Sequence, residues 1–335
     1  MPAFTATEPF IRTPMLYSIL AVLAGFALLI WGADRFVIGA AALARNLGVS
    51  TLLIGLTIVG FGTSAPEVLV SGTAALGGNP GLAVGNALGS NIANIGLILG
   101  VTALVAPLTL HSQSLRREYP LLLMATLLAS ALLLDGELSR MDGLILLGGL
   151  VVAVVLVVRI GLARGPADPL RDEIAAEIPA HMPTRHAAGW LALGLLILLG
   201  GSKLLVWGAV DIASALGVSD LVIGLTIVAV GTSLPEMAAS VMSALKKEDD
   251  IAIGNVIGSN LYNLLGVLCL PGLLSPSRVD GELVGRDLPV MIAMTLALPV
   301  LALLCKNRLG RRAGLLLTLS FAAYVGWVAL NATAT

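Results

Sequence analysis

Ten apolar runs, each long enough to cross a lipid bilayer as a helix, occupy most of this 335-residue sequence. A hydrocarbon core about 30 Å thick requires about 20 apolar residues of helix per crossing. The runs are continuously apolar and lack the alternation of a transmembrane β-barrel. The sequence therefore predicts an all-α integral membrane protein with ten transmembrane helices, at about 16–43, 51–76, 82–106, 119–135, 142–160, 187–213, 219–245, 251–275, 286–304 and 313–332.

Composition and charge exclude several other classes of protein. Apolar residues make up 57% of the chain and charged residues only 12%, against about 45–50% and 25% in soluble domains. With 19 basic and 20 acidic residues, there is no basic surface for nucleic acid. Two cysteines, both inside apolar runs, exclude a disulfide framework. The expected partners are the lipid bilayer and small ions, without nucleic acid and without a cofactor.

Basic residues predict the orientation of the chain in a cell membrane. Alternate connections carry fourteen of them and the opposite connections carry Arg12, Arg140, Arg278 and Arg286, so the positive-inside rule places both termini outside the cytoplasm. A polar, proline-containing stretch at 161–186 is expected to be a cytoplasmic linker. It joins a first half, 1–160, to a second half, 187–335, each with five predicted helices.

An internal repeat relates the two halves. Residues 55–99 align with 224–268 without a gap, at an offset of 169, and 21 of the 45 positions are identical. Because each half has an odd number of spans, the second copy must be inverted relative to the first. Inverted repeats are typical of secondary transporters, which bind substrate near the midplane between the copies. Duplication can also produce a mere pseudosymmetric scaffold, but polar residues at membrane depth in both copies argue against that.

Glu67 and Glu236 occupy equivalent positions near the middle of their spans. A carboxylate at membrane depth costs about 2.5–3.5 kcal/mol even on insertion scales. No lysine or arginine lies at comparable depth in these spans, and Lys203 is in another helix, nearer its end. The missing positive charge is most simply a bound cation. The alternative is a protonated glutamic acid that locks two helices together.

Proline precedes each glutamate, at Pro66 and Pro235. Proline lacks the amide of a continuous helix, which predicts a break near 63–64 and 232–233 and carbonyls freed inside the protein. The serine of each break stands three residues before the glutamate, which is also the spacing of a capping box. Capping by these serines and ion binding can coexist.

The second motif of each copy offers neutral oxygens on one helix face: Ser90 and Asn94, then Ser259 and Asn263. The asparagines Asn94 and Asn263 are favoured as ion ligands, whereas bonding between helices suffices for Asn86 and Asn255. A site of carboxylate, hydroxyl, amide and carbonyl oxygens, without sulfur or imidazole, suits calcium better than magnesium. Sodium, of similar size, could replace calcium there, which is the simplest basis for exchange.

These motifs resemble the alpha repeats of the sodium/calcium exchanger family, within the cation/calcium antiporter superfamily. They are Gly-Thr-Ser-Ala-Pro-Glu at 62–67, Gly-Thr-Ser-Leu-Pro-Glu at 231–236, and Gly-Ser-Asn-x-x-Asn at 89–94 and 258–263. The resemblance implies two inverted five-helix repeats with discontinuous helices at a central ion site, and an outward-facing amino terminus. It also implies alternating access, in which the first and sixth helices slide against the other eight. A monomeric functional unit is expected.

The resemblance also implies roles for individual residues. Glu67 and Glu236 would be ligands shared by calcium and sodium, and Asn94 and Asn263 would face the central site. The remaining ligands would be Thr63, Ser64, Thr232, Ser233, Ser90 and Ser259 with the carbonyls of Gly60 and Ala229.

Two positions depart from the family pattern. Some relatives have Asp where this chain has Asn263, and Asn at both symmetric positions resembles the potassium-independent exchangers. Asp34 fits the acidic position of the family near the end of the first helix, but its repeat equivalent is Lys203. Lys203 is expected to be a snorkelling anchor.

The sequence predicts a secondary antiporter that exchanges sodium for calcium. A proton/calcium exchanger is the alternative within transporters, since glutamates also carry protons. A calcium-selective channel is the alternative from another class, although inverted repeats with broken helices fit alternation better. An enzyme is not expected, because the three histidines fall in connections and no His-Glu-x-x-His motif occurs.

Overall fold

The computed structural model describes residues 15–110, 112–162, 182–217 and 229–332, and these are almost entirely helical. The helices are α1 Met15–Leu47, α2 Thr51–Thr63, α3 Ala65–Leu76, α4 Pro80–Val105, α5 Ser112–Leu133, α6 Arg140–Leu162, α7 Thr184–Ala215, α8 Ala229–Thr232, α9 Leu234–Leu245, α10 Asp249–Leu274, α11 Leu283–Leu304 and α12 Arg311–Ala332.

Seven of the helices in the described ranges are long and apolar enough to span a membrane, and the bent pair α2–α3 brings the number to eight. The predicted run at 119–135 coincides with α5, whose apolar part, Glu118–Leu133, is shorter than a full span. The predicted run at 219–245 is described only from residue 229. The integral membrane, all-helical class is confirmed, while the count of ten stays a prediction. Most of the predicted linker lies outside the described residues.

The centre of the molecule is formed by α4 and α10. Their apolar windows are 72% and 78% buried, against 28% or less for α1, α6, α7 and α12. This difference follows from the sequence, because α4 and α10 carry the small and polar residues of the second repeat motif, whereas the outer helices carry long apolar stretches. The largest buried hydrophobic cluster surrounds these two helices, with contributions from α2, α5 and α11.

Helices α1 and α7 pack against each other as an antiparallel pair held by glycines seven residues apart. A Cβ atom built on Gly25 would lie 2.8 Å from the carbonyl oxygen of Gly201, and one on Gly32 would lie 3.2 Å from that of Gly194. Backbones approach this closely only where side chains are absent. Because Gly25 and Gly32 are the repeat equivalents of Gly194 and Gly201, equivalent helices run in opposite directions, as an inverted repeat requires.

Two short antiparallel pairs join the halves at the ends of the helices. β1 (Leu108–Thr109) pairs with β4 (Arg308–Leu309), and β2 (Glu137–Leu138) pairs with β3 (Ser277–Arg278). Each pair takes one strand from each half. Strands of two residues leave no periodic pattern in a sequence, so they were not predictable.

Candidate ion-binding site

Both predicted helix breaks are present. Ser64 interrupts the helix between α2 and α3, which are bent by 43°, and Ser233 interrupts it between α8 and α9. Each break is followed within two residues by proline, whose missing amide is tolerated in the first turn of a helix. The alternative role of the two serines, capping of the restarted helices, is not observed, because neither side chain makes a capping hydrogen bond. The hydroxyl groups are left for other partners.

Glu67 and Glu236 lie in the first turns of α3 and α9 and are only 1% and 2% exposed. The amino-terminal end of a helix stabilises negative charge, so the breaks give each carboxylate a favourable backbone environment. The two carboxylates are near enough for their charges to interact, and Glu236 also faces Thr63 and Ser64 of the first repeat. The structure therefore brings the two glutamates together from opposite repeats.

Unsatisfied polar atoms are concentrated in the two motifs. Buried polar groups are normally hydrogen-bonded, and each exception requires an explanation. Within the described ranges, six of the buried side-chain atoms without a hydrogen bond belong to the motifs: Ser64 Oγ, Glu67 Oε2, Asn91 Oδ1, Glu236 Oε2, Asn260 Nδ2 and Asn263 Oδ1. Five of the six are oxygens. Such a set is suited to a cation that replaces the missing hydrogen-bond donors.

Asn94 and Asn263 each begin a π-helical segment, at Asn94–Leu99 of α4 and Asn263–Val267 of α10. Segments of this kind occur frequently at functional sites, since they redirect a side chain within a helix. Asn94 Nδ2 donates to Asn260 Oδ1 of the other repeat at 2.9 Å. Both asparagines are buried, and Asn263 Oδ1 has no hydrogen-bond partner.

The other predicted ligands surround the breaks. Ser259 Oγ donates to the carbonyl oxygen of Gly60 at 3.4 Å, and the Ser64 amide donates to the same oxygen at 3.2 Å. The break therefore does not free the carbonyl of Gly60. Ser90 is buried on α4, whereas Ala229 and Thr232 lie in α8, with Thr232 immediately before Ser233.

Asn86 and Asn255 bond between helices, as expected, and do so in the same way in both repeats. Asn86 Nδ2 donates to the carbonyl oxygen of Glu67 at 3.2 Å and to Ser71 Oγ at 2.9 Å. Asn255 Nδ2 makes the equivalent bonds to Glu236 and Ser240, at 3.1 and 2.8 Å. The two serines and the buried pair Asn91 and Asn260 were missed by the sequence reasoning. Their identity at the repeat offset was a signal that could have found them.

A second set of charges lies where α1 meets the turn between α9 and α10. Lys246 Nζ lies 2.7 Å from Asp34 Oδ1. Glu248, next to α10, is buried. Burial raises the pKa of Glu248 to about 7, Arg45 opposes this change, and Asp250 and Asp249 add to it.

Lys203 is exposed in the middle third of α7. The expectation that it lies near the end of its helix is wrong. Its exposure is compatible with the proposed anchoring role, because a long side chain can carry its charge along the helix surface to the interface.

No group of three or more His, Cys, Asp or Glu side chains is arranged to hold a metal among the residues that the structure describes. The donor set is thus two carboxylates surrounded by neutral oxygens. Such a set balances one divalent charge and leaves the coordination number flexible, which calcium tolerates.

Comparison with known proteins finds similarity to the same protein family in both halves of the chain. The sequence profile described as "Sodium/calcium exchanger protein" matches residues 17–159 and 186–330. The chain is 51% identical to CaxA of Alkalimonas amylolytica over 92% of this chain and 98% of that protein. It is 32% identical to the "Sodium/calcium exchanger MaX1" of Methanosarcina acetivorans, over 83% and 89%.

A solved structure is also similar. It is that of the sodium-calcium exchanger NCX_Mj soaked with 10 mM Na+ and zero Ca2+, which superimposes with a TM-score of 0.81 at 32% identity. The match covers 93% of this chain and 99% of the other.

Proposed function

Because this chain belongs to the sodium/calcium exchanger protein family, we propose that it is a secondary antiporter that exchanges sodium for calcium across the cell membrane. The observation that carries the proposal is the pair of buried carboxylates, Glu67 and Glu236, with unpartnered oxygens around them. In water these oxygens would be hydrated, and in the protein a bound cation would take the place of that hydration. The names of MaX1 and NCX_Mj support the choice of ions.

The charge of the site supports exchange over uncoupled flow. Two buried, ionised carboxylates without a counter-ion carry a large desolvation penalty. The protein with an empty site is therefore the state least able to change between its outward-open and inward-open conformations. One calcium ion or two sodium ions neutralise it. If the site changes its accessibility only when an ion is bound, it must also return with an ion bound. When the returning ion is the competing one, the result is coupled exchange.

The neutral oxygens support sodium as the counter-ion. Proton exchange would require the carboxylates alone, whereas Ser64 Oγ and Asn263 Oδ1 are also buried without a hydrogen bond. Sodium prefers several oxygen ligands. We assign the ion sites to the two glutamates together with Thr63, Ser64, Ser90, Asn94 and their equivalents Thr232, Ser233, Ser259, Asn263, with Ala229 contributing a backbone oxygen. The carbonyl oxygen of Gly60, which already accepts from Ser64 and Ser259, is left out of this set.

Movement of α1 and α7 as a unit would give alternating access. The glycine contacts fix these helices to each other, while the helices are mostly exposed on their other faces. We place both termini on the non-cytoplasmic side, from the distribution of basic residues.

The test is uptake of radioactive calcium into proteoliposomes, with sodium, potassium and proton gradients imposed in turn. Sodium gradients are expected to drive uptake, and Glu67→Gln or Glu236→Gln is expected to abolish it. Glu137→Gln is the control, since Glu137 is 59% exposed beside Arg278. Uptake driven only by protons would establish the proton exchanger instead. Calcium flow independent of every gradient except its own would indicate a channel.

A further inference from the structure

Asn255 uses both ends of its side-chain amide to connect the two repeats. Its nitrogen donates to the carbonyl oxygen of Glu236 and to Ser240 Oγ, both on α9. Its oxygen accepts a hydrogen bond of 3.0 Å from Thr63 Oγ1, which belongs to the first repeat. Asn255 is fully buried. A buried amide with all of these bonds made is rigid, because losing any of them would leave a polar atom unsatisfied.

The backbones around Asn255 are in close contact, so the connection is not loose. A Cβ atom built on Gly254 would lie 2.8 Å from the carbonyl oxygen of Leu52, and one on Gly60 would lie 3.0 Å from the Ser259 amide. Helix α10 therefore packs directly on α2, the helix that ends at Thr63. Neither backbone can shift alone without separating this contact.

The Thr63 hydroxyl has several hydrogen-bond acceptors within reach, and Asn255 Oδ1 is one that lies in the other repeat. The threonine hydroxyl has one proton. Its oxygen lies 3.0 Å from Asn255 Oδ1 and 3.1 Å from the carbonyl oxygen of Val59 in its own helix. Without Asn255, the hydroxyl would lose its bond to α10 and keep the carbonyl oxygens of its own helix, those of Val59 and of Gly60 at 3.5 Å. Its lone pairs would then lose one of the contacts that fix them relative to Glu236.

We propose that Asn255 is a positioning residue that joins the Thr63 part of the ion site to the Glu236 part. Ion binding at one repeat then orders the other. This inference rests on the proposed function, since it assumes that Thr63 and Glu236 bind the same group of ions. Asn255 is assigned no ligand role, because its oxygen already accepts from Thr63 and its nitrogen cannot bind a cation.

The test measures how calcium and sodium raise the melting temperature of the purified protein, which requires binding but not transport. Asn255→Ala is expected to raise the half-saturating calcium concentration roughly tenfold, the effect of one or two lost hydrogen bonds. The control is Ser243→Ala, also buried on α9, which removes only a bond to Ala239 within the same helix. It is expected to leave both ion affinities unchanged.

A double-mutant cycle with Thr63→Val distinguishes positioning from a general structural role. If Asn255 acts through the Thr63 hydroxyl, the double variant is expected to lose much less affinity than the product of the two single effects. Independent, multiplying losses would overturn the proposal, as would an Asn255→Ala affinity equal to that of Ser243→Ala. If Asn255→Ala does not fold, Ser240→Ala replaces it in the cycle, since it removes one of the amide's bonds and keeps the amide.

Binding and transport separate the two proposals. Wild-type protein that binds calcium but exchanges nothing would refute the antiporter, while the cycle would still decide the role of Asn255. Wild-type protein that binds neither ion would refute both.

Discussion

The salt bridge between Asp34 on α1 and Lys246 in the α9–α10 turn should favour the conformation described here. The charged atoms are 2.7 Å apart, and the two side chains are 29% and 26% exposed. Partly exposed ion pairs contribute about 0.5–1 kcal/mol. If α1 moves against the rest of the protein by as much as one helical turn, about 5.4 Å, the pair is broken. The bridge would then bias the equilibrium between the two conformations about two- to fivefold.

Lys246→Gln should therefore shift the conformational equilibrium about two- to fivefold away from this state. The populations can be measured by double electron–electron resonance between spin labels at positions 16 and 134. Leu16 and Leu134 are both exposed and are predicted to lie on the side of the membrane opposite the salt bridge. Cys269 and Cys305, the free cysteines of the described ranges, are first replaced by alanine. High salt should reproduce part of the shift in the wild type, because an exposed pair is screened.

Two controls separate the salt bridge from a general effect of charge. Lys246→Arg keeps a cation beside Asp34 and should restore the wild-type populations. Lys306→Gln removes an exposed positive charge elsewhere and should change nothing. Equal distance distributions in Lys246→Gln and wild-type protein would refute the reasoning, as would an identical shift in Lys306→Gln.

Two further predictions concern stability, measured as the melting temperature of the purified protein. Gly201→Ala should destabilise the fold by about 1–3 kcal/mol, because its Cβ would lie 2.9 Å from Leu28 Cβ and 3.1 Å from the Leu29 amide. The control is the adjacent Gly200→Ala, whose Cβ would meet no atom within 4 Å and which should leave the melting temperature unchanged. Equal melting temperatures of the two variants would contradict the close packing of α1 and α7. Glu248→Gln should raise the melting temperature at pH 8 but not at pH 5, since the raised pKa of about 7 means that the stability contributed by the protonated carboxyl is lost as pH rises from about 4.5 to 7. A gain of the same size at both values of pH would show that Glu248 does not titrate as described.

The positions of the helices and breaks were predictable because each has a local cause. Apolar length predicted the outer helices, and proline before each glutamate predicted the interruptions at Ser64 and Ser233. The repeat offset identified the equivalent residues without any knowledge of contacts. Glu67 and Glu236 were identified by the energetic cost of a carboxylate in an apolar span, which no local interaction could offset.

The remaining features depend on distant parts of the chain meeting. The bond between Thr63 and Asn255 joins residues 192 positions apart, and the Asp34–Lys246 bridge joins elements that no pattern relates. The π-helical segments at Asn94 and Asn263 adjust the helix to its neighbours, so nothing in the local sequence specifies them. Capping by Ser64 and Ser233 is absent for a related reason. The capping spacing describes an isolated helix end, whereas here contacts with other helices stabilise each break.

The two repeats have identical side chains where ions are expected to bind through side chains, and they differ where α1 and α7 meet the rest of the protein. In a perfectly symmetric inverted repeat, the outward-open and inward-open states would interchange the two copies and have equal energy. Asp34 corresponds to Lys203, and Lys246 to Gly77, so the salt bridge has no counterpart. Likewise Ser202 Oγ donates to the carbonyl oxygen of Gly231 at 2.8 Å, whereas its equivalent, Ala33, has no hydroxyl.

Each of these contacts contributes on the order of 1 kcal/mol. Both join the α1–α7 pair to the rest of the protein, and neither has an equivalent at the repeat offset. Together they could favour one state by about tenfold or more without touching an ion ligand. The preferred resting state of such an exchanger would therefore be set by residues outside the ion site. The site itself can keep the symmetry that allows the same ions to be bound from either side.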